Sequence, residues 1–200
     1  MRNARKFTSP RHGGRAGFTF VEMMITGTIL VSVATLATLW LTGVSNLWSL
    51  ATTQSDVRIR AQETMNRVVD ELRSATRSSA LGSPPNATIP ASPNNLSVTF
   101  YLPADVDLNG LIVDANGNTE WGVGNPIQYA YDANQRQLLR TVGGVNTVIA
   151  NDVSAATFKD RSIDGTLNTN EIQIALTLQR TTTNGRAVSA TATEIVKLRN

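Results

Sequence analysis

An apolar run near the N-terminus constrains the fold of this chain more than any other sequence feature. Between Val21 and Leu41 there is a single charged side chain, that of Glu22. A helix rises about 1.5 Å per residue, so this run spans about 30 Å, the thickness of a bilayer's hydrocarbon core. Trp40 and Trp48 stand near its far end, where interfacial indoles are expected. Ser and Thr are tolerated within the run because their hydroxyls can bond to helix carbonyls; they are Thr26, Thr28, Ser32, Thr35 and Thr38.

Glu22 is the unusual residue of this predicted transmembrane helix. A carboxylate inside a membrane helix costs at least about 2 to 3 kcal/mol, so such residues are rare and usually functional. The sequence therefore predicts a functional role for Glu22. That role requires a partner for its charge.

The charge of the chain is concentrated in the segment 1–17. This segment has no acidic residue, and its basic residues are Arg2, Arg5, Lys6, Arg11 and Arg15. The whole chain has 18 basic and 15 acidic residues and a net charge of +3; without the segment, 13 basic residues face 15 acidic ones and the charge is −2. The basic segment predicts a cytoplasmic N-terminus and gives no support for a nucleic-acid face.

Missing residue types exclude several kinds of chemistry. The chain has no cysteine, so it has neither a disulfide nor a thiolate metal site. Its one histidine, His12, lies in the basic segment, which removes histidine-based catalysis from the rest of the chain. Asp152, Asp160 and Asp164 offer carboxylates, but we interpret them as turn residues. An enzyme is therefore not predicted.

The helical pattern continues beyond the membrane run. There is no Gly or Pro between Leu50 and Arg77. We predict one helix of roughly 55 to 60 residues, apolar all round over 18–50 and amphipathic over 51–80. Such a helix needs a partner for its apolar stripe, since propensity alone does not hold it. The stripe consists of Ala61, Met65, Val68, Val69, Leu72 and Ala75.

The remainder of the chain, 81–200, has the pattern of an antiparallel β domain. A loop rich in Gly and Pro covers 78–95, and the turn Asn184-Gly185 joins the last two predicted strands. The fold class is therefore α+β, with the helix stripe seated on the buried face of an antiparallel sheet. The predicted strands are Leu96–Leu102, Pro126–Tyr131, Gln137–Val142, Thr147–Ala150, Ser154–Lys159, Glu171–Gln179 and Val188–Leu198.

The segment Gly17-Phe18-Thr19-Phe20-Val21-Glu22, behind its basic leader, resembles the N-terminus of type IV prepilins and type II secretion pseudopilins. The family motif has Gly, Phe, Thr, two aliphatic residues and Glu, and Phe20 stands where Leu is commoner. Three later segments look like parts of minor pilins and of J- or W-type pseudopilins. They are Met65–Ala75, the hairpin Ile127–Asp132 with Gln137–Val142, and the ending Ile195–Asn200.

This resemblance implies a type IV pilin-like fold and a processing site. A membrane prepilin peptidase would cleave the 1–17 leader between Gly17 and Phe18 and methylate the new Phe18 amine. The helix would anchor the subunit in the bacterial inner membrane with the C-terminal domain in the periplasm. It would later pack in the core of an extracellular pilus or a periplasmic pseudopilus. Glu22 would pair there with the N-terminal amine of a neighbouring subunit.

The resemblance also implies a function and partners. The chain would be a minor subunit that helps initiate or cap a type IV pilus or a type II secretion pseudopilus. Its partners would be other pilin subunits, the peptidase, the inner membrane and the assembly platform. Major pilins often have a proline in the membrane half of the helix and a C-terminal disulfide loop. This chain has no proline between Phe18 and Ser83 and no cysteine. Both departures favour a minor subunit.

Three alternatives stay open at this stage. The apolar run resembles a secretory signal peptide with a weak cleavage site at Ser32-Val33-Ala34, although it is long for one. The chain could be an ordinary anchored protein with a chance motif. It could also display a ligand-binding module at a filament tip, with calcium, DNA or a surface as the ligand. For DNA, only Arg136 and Arg140 flank a hairpin, and two arginines do not form a basic patch.

The loop after Leu102 is similar to the first part of an EF-hand calcium loop. Asp105, Asp107 and Asn109 alternate as hard oxygen donors, and Gly110 offers a tight turn. The closing Glu is missing, so Asp114 or Glu120 would have to take its place. The alternative is a polar loop between strands, and Trp121 beside it is either a packing residue or an exposed binding aromatic. Calorimetric titration without heat, and without a melting shift, would contradict calcium binding.

Overall fold

The computed structural model describes residues 17–75, 87–122 and 124–198. The fold is α+β, with one helix followed by seven strands, and the chain divides into two units, 1–45 and 46–200. The elements are α1 (Phe20–Arg73), β1 (Ser97–Phe100), β2 (Ile127–Asp132), β3 (Gln137–Val142), β4 (Val145–Ala150), β5 (Val153–Lys159), β6 (Glu171–Thr181) and β7 (Ala187–Lys197). The predicted helix and all seven predicted strands are present.

The first half of α1 is apolar on every side. Among the described residues, α1 is the one helix long and apolar enough to cross a membrane, judged by length and composition. The predicted bonds from its Ser and Thr hydroxyls to carbonyls one turn earlier are confirmed, with oxygen–oxygen distances of 2.7 to 2.9 Å. These bonds satisfy the hydroxyls within the helix itself. The polar side chains therefore do not conflict with an apolar environment.

The second half of α1 buries the predicted stripe. All six stripe residues are buried, and Val57 and Thr64 join them on the same face. The helix has 54 residues and ends at Arg73, so the predicted amphipathic segment 51–80 was too long. It ends there because the N–H groups of Ser74 and Ala75 bond to carbonyls three residues back, at 3.1 and 3.0 Å, which tightens the last turn. The predicted remainder, 76–80, lies outside the described residues.

The strands form two antiparallel sheets, so the prediction of a single sheet was wrong. One sheet has the order β1-β2-β3-β4 and the other the order β5-β6-β7. The chain leaves the first sheet at Asp152, which has a left-handed φ of 62°, and β5 then pairs with β6. Strand patterns predict that a segment pairs but do not specify its neighbour. Only the antiparallel character was therefore accessible from the sequence.

The two sheets and the helix stripe share one hydrophobic core. In β6, Ile172, Ile174, Leu176 and Leu178 are buried, as the alternation in sequence predicts. The buried Asn95 links the segment before β1 to the second sheet, because its side-chain amide donates to the Phe158 carbonyl at 3.1 Å. The predicted turn at Asn184-Gly185 is also confirmed.

Candidate functional site

Gly17 and Phe18 lie in exposed, non-helical backbone immediately before α1. Phe18 is 78 % exposed, and no other atom of the described residues lies within 4 Å of the position that a Cβ on Gly17 would occupy. A protease must bind the peptide bond that it cleaves in an accessible, extended segment. The bond between Gly17 and Phe18 is accessible in this sense.

Glu22 forms a capping box with Thr19 at the start of α1. The Thr19 hydroxyl oxygen accepts the Glu22 N–H at 3.3 Å, and Glu22 Oε2 accepts the Thr19 N–H at 3.4 Å. Each side chain satisfies a backbone donor that the first helical turn leaves without a partner. This role was not among the predictions made from the sequence, although the spacing Thr-x-x-Glu before an apolar run is its known signal.

The capping box leaves the charge of Glu22 without a cation. Among the described residues, no basic group forms an ion pair with this carboxylate, and its contact with Thr19 is a hydrogen bond to a neutral N–H. A first-turn carboxylate is favoured by the helix dipole, but only by about 0.3 to 1 kcal/mol. The carboxylate can therefore accept a second, cationic partner.

The helix after Glu22 presents a continuous apolar surface. Between Phe18 and Trp48 the large hydrophobic side chains are 43 % to 79 % exposed. Soluble proteins seldom expose a contiguous apolar patch above a few hundred Å², and larger patches are typical of interaction or membrane surfaces. Residues 23–55 contain no charged residue.

A polar cluster joins the second half of α1 to the first sheet. Glu71 Oε2 accepts hydrogen bonds from the Tyr129 hydroxyl at 3.0 Å and from Arg140 Nε at 2.9 Å. Burial and the Glu71 charge raise the pKa of the Tyr129 phenol, and the hydrogen bond to Glu71 raises the pKa of Arg140. Arg140 is thus committed to a half-buried ion pair, which argues against its use as a phosphate contact. Arg136 donates to the Gln179 carbonyl at 3.0 Å.

A second polar cluster joins α1 to the second sheet. Asp56 accepts hydrogen bonds from Arg60 Nε at 3.0 Å and from a terminal nitrogen of Arg180 at 2.8 Å. Asp152 lies 3.7 Å from the other side of Arg180. The hydrogen bond from Arg60 is the main cause that lowers the pKa of Asp56. Both polar clusters thus link the helix to the β domain.

The loop with the calcium-like pattern brings three carboxylates together. Single oxygens of Asp105, Asp107 and Glu120 lie within 4.8 Å of one another. Asn109 is turned towards the loop backbone instead, because its amide oxygen accepts the Leu111 N–H at 2.7 Å. Of the two proposed replacements for the closing Glu, Glu120 joins the group, while Asp114 accepts the N–H groups of its own turn. Calcium binding stays a prediction.

The other residues considered for chemistry have ordinary structural positions. Trp121 is half-buried and pairs with Pro103 in an isolated bridge. Asp160 and Asp164 accept hydrogen bonds from Ser162 and Thr166 two residues on, as turn acids do. The Thr166 hydroxyl is the main cause that lowers the pKa of Asp164.

None of three comparisons with known proteins, by family model, by curated sequence or by solved structure, returns a match for this chain. The fold itself defines a class: a long N-terminal apolar helix packed, through its second half, against antiparallel sheets. This arrangement is consistent with a pilin-like fold.

Proposed function

We propose that this chain is a minor pilin or pseudopilin that is cleaved between Gly17 and Phe18, methylated at the new amine and incorporated into a filament. The observation that supports this most is the start of α1. There an accessible Gly-Phe bond directly precedes an apolar helix with a carboxylate in its first turn. The exposed apolar half of α1 supports the same proposal, because it would be covered first by inner-membrane lipid and then by neighbouring helices.

Processing is tested by the N-terminus of the protein after co-expression with a prepilin peptidase. Intact-mass and peptide mass spectrometry should show a chain that begins at N-methylated Phe18. Gly17→Leu should stay uncut, because a side chain would be added beside the scissile bond. The matched control Gly27→Leu adds the same side chain within the helix, in open space, and should be cut normally. A parent chain that keeps Met1 would refute the proposal.

The proposed role of Glu22 in assembly follows from the cost of isolated charges in an apolar environment. Cleavage creates an ammonium group at Phe18, within about one helix turn of Glu22. Each charge is costly in a filament core unless it is matched. A neighbouring subunit displaced along the filament would bring its amine beside Glu22. The pair would select one register between subunits rather than supply a large net stability.

Two substitutions separate this pairing role from helix capping. Glu22→Gln keeps an oxygen that accepts the Thr19 N–H but removes the charge, whereas Thr19→Ala removes the other half of the capping box. In cells with the assembly machine, both variants should be cleaved and keep a folded β domain. Glu22→Gln should lose most incorporation into sheared filaments, and Thr19→Ala should retain it. The opposite pattern would show that Glu22 acts as a cap alone.

A further inference from the structure

The turn between β6 and β7 is held against α1 just after the apolar run ends. The Asn184 side-chain amide donates to Asn46 Oδ1 at 2.7 Å, and the hydroxyls of Thr183 and Ser49 lie 3.3 Å apart. Arg180, at the end of β6, continues this contact through its ion pair with Asp56. The position of the turn along the helix is therefore fixed by hydrogen bonds.

The turn contacts the part of α1 that directly follows the apolar run. Asn46 and Ser49 come five and eight residues after Leu41, where that run ends. The headgroup layer borders the hydrocarbon core of a bilayer, so the residues that directly follow a membrane span are the ones nearest to the headgroups.

The composition around the turn also suits a phospholipid surface. Residues 45–55 carry no charge, and residues 181–189 carry one, that of Arg186. Asp56, the first charged residue after this uncharged stretch of the helix, is neutralised by Arg60 and Arg180. Trp48 is 72 % exposed, and an amphipathic indole favours the membrane interface. This end of the β domain therefore offers a cation, an indole and neutral hydrogen-bonding groups.

We propose that the surface formed by residues 46–49 and 182–187, here called the headgroup face, binds anionic phospholipid headgroups next to the membrane span. Arg186 contacts the lipid phosphates, Trp48 lies in the interface, and the Thr and Asn side chains exchange hydrogen bonds with the headgroups. The inference rests on the membrane insertion proposed above. It adds that the folded domain, and not the helix alone, contacts the membrane.

The absence of cysteine allows a direct test with single nitroxide labels on the full chain in vesicles. Ala187→Cys reports on the headgroup face, Leu36→Cys on the span, and Thr169→Cys on the loop at the other end of β6; all three side chains are exposed. The vesicles contain three parts phosphatidylglycerol to seven parts phosphatidylethanolamine, with a trace of nickel-chelating lipid. Relaxation by nickel at the headgroups should be strong for the Ala187 label and weak for the Thr169 label.

The Leu36 label separates failure of this inference from failure of the proposed function. If the Leu36 label is protected from water-soluble reagents and the Ala187 label relaxes no faster than the Thr169 label, the headgroup face is refuted while insertion stands. If the Leu36 label is open to water, insertion is refuted and this inference falls with it. Spin–spin broadening at Ala187 that disappears on dilution with unlabelled chain would assign the face to a second copy of the chain, and would also overturn it.

The contribution of charge is tested by Arg186→Gln. Its backbone N–H still donates to the Thr182 hydroxyl, so the turn should keep its conformation. Loss of one cation at an anionic surface should reduce the population in contact about fivefold, and only in vesicles that contain phosphatidylglycerol. The matched control Arg161→Gln removes an exposed cation from the β5–β6 loop and should have no effect. Equal behaviour of the two variants would refute the anionic headgroup contact.

Discussion

The two halves of α1 have the same backbone but different partners. Between Phe20 and Trp48 the large hydrophobic side chains are exposed, whereas the later stripe from Val57 to Ala75 is buried in the core of the β domain. The first half is apolar on every side and the second half on one side only. The difference shows that one continuous helix can have two apolar surfaces of different kinds, one covered within the chain and one left exposed.

A matched pair of leucines tests this comparison with the largest expected effect. Leu72→Ala removes a side chain that is 0 % exposed, and should lower the free energy of unfolding by about 2 to 5 kcal/mol. Leu39→Ala changes a side chain that is 64 % exposed, and should leave that free energy unchanged. Denaturant unfolding of the full chain in detergent measures both. Equal losses would mean that the two halves are stabilised in the same way.

The sequence predicts which residues of α1 are buried, and which segments form strands, better than it predicts where α1 ends and how the strands pair. Periodicity gave every stripe residue, because burial of one helix face imposes its spacing directly. It gave the seven strands for the same reason, but not their division into two sheets. That division depends on which distant segments pair with one another. The end of α1 at Arg73 depends on a tightened last turn, which no residue pattern specifies.

The candidate sites likewise differ in whether the local sequence or only the fold reveals them. Glu22 is indicated by its charge in an apolar run, and Gly17 and Phe18 are implied by the resemblance to prepilins. The capping box could have been predicted from the spacing of Thr19 and Glu22. The partners of Glu71 could not have been predicted from local sequence, because Tyr129 and Arg140 are 58 and 69 residues away. Convergence of Glu120 with Asp105 and Asp107 likewise requires the folded loop.

A charge placed in the first half should break its proposed partnership with lipid. Val31→Asp introduces a carboxylate on an exposed position of the apolar helix and should make membrane insertion less favourable by about 2.5 to 3.5 kcal/mol. The fraction of chain that resists carbonate extraction should fall. The matched change Ile195→Asp, at an exposed position of β7, should leave extraction unchanged. Unchanged extraction of the Val31 variant would argue against a membrane partner for this half.

The cluster around Glu71 sharpens the comparison, because it fixes the second half to the first sheet. Tyr129→Phe removes one hydrogen bond but leaves Glu71 paired with Arg140, so the expected loss is about 0.5 to 1.5 kcal/mol. The raised pKa of Tyr129 means that the folded state favours the neutral phenol. This stabilisation is complete below the phenol pKa of the unfolded chain, about 10, and declines as pH rises above it. Tyr129→Phe should remove that alkaline decline, whereas Tyr101→Phe should keep it.

Asp56 is the first charged residue after the uncharged residues 23–55. Its substitution should have the smallest expected effect on stability. Its pKa is lowered in the folded state, mainly by the hydrogen bond from Arg60. The stabilisation is therefore present above the pKa of the unfolded side chain, about 4, and is lost as pH falls through the lower folded value. Between about pH 5 and pH 3, Asp56→Asn should lose less thermal stability than the parent chain. At pH 7 the difference between the two should shrink in about 1 M salt, because exposed ion pairs are screened. Identical acid profiles would mean that the ion pairs of Asp56 contribute nothing to holding this part of the helix on the second sheet, and that the apolar stripe alone distinguishes the two halves.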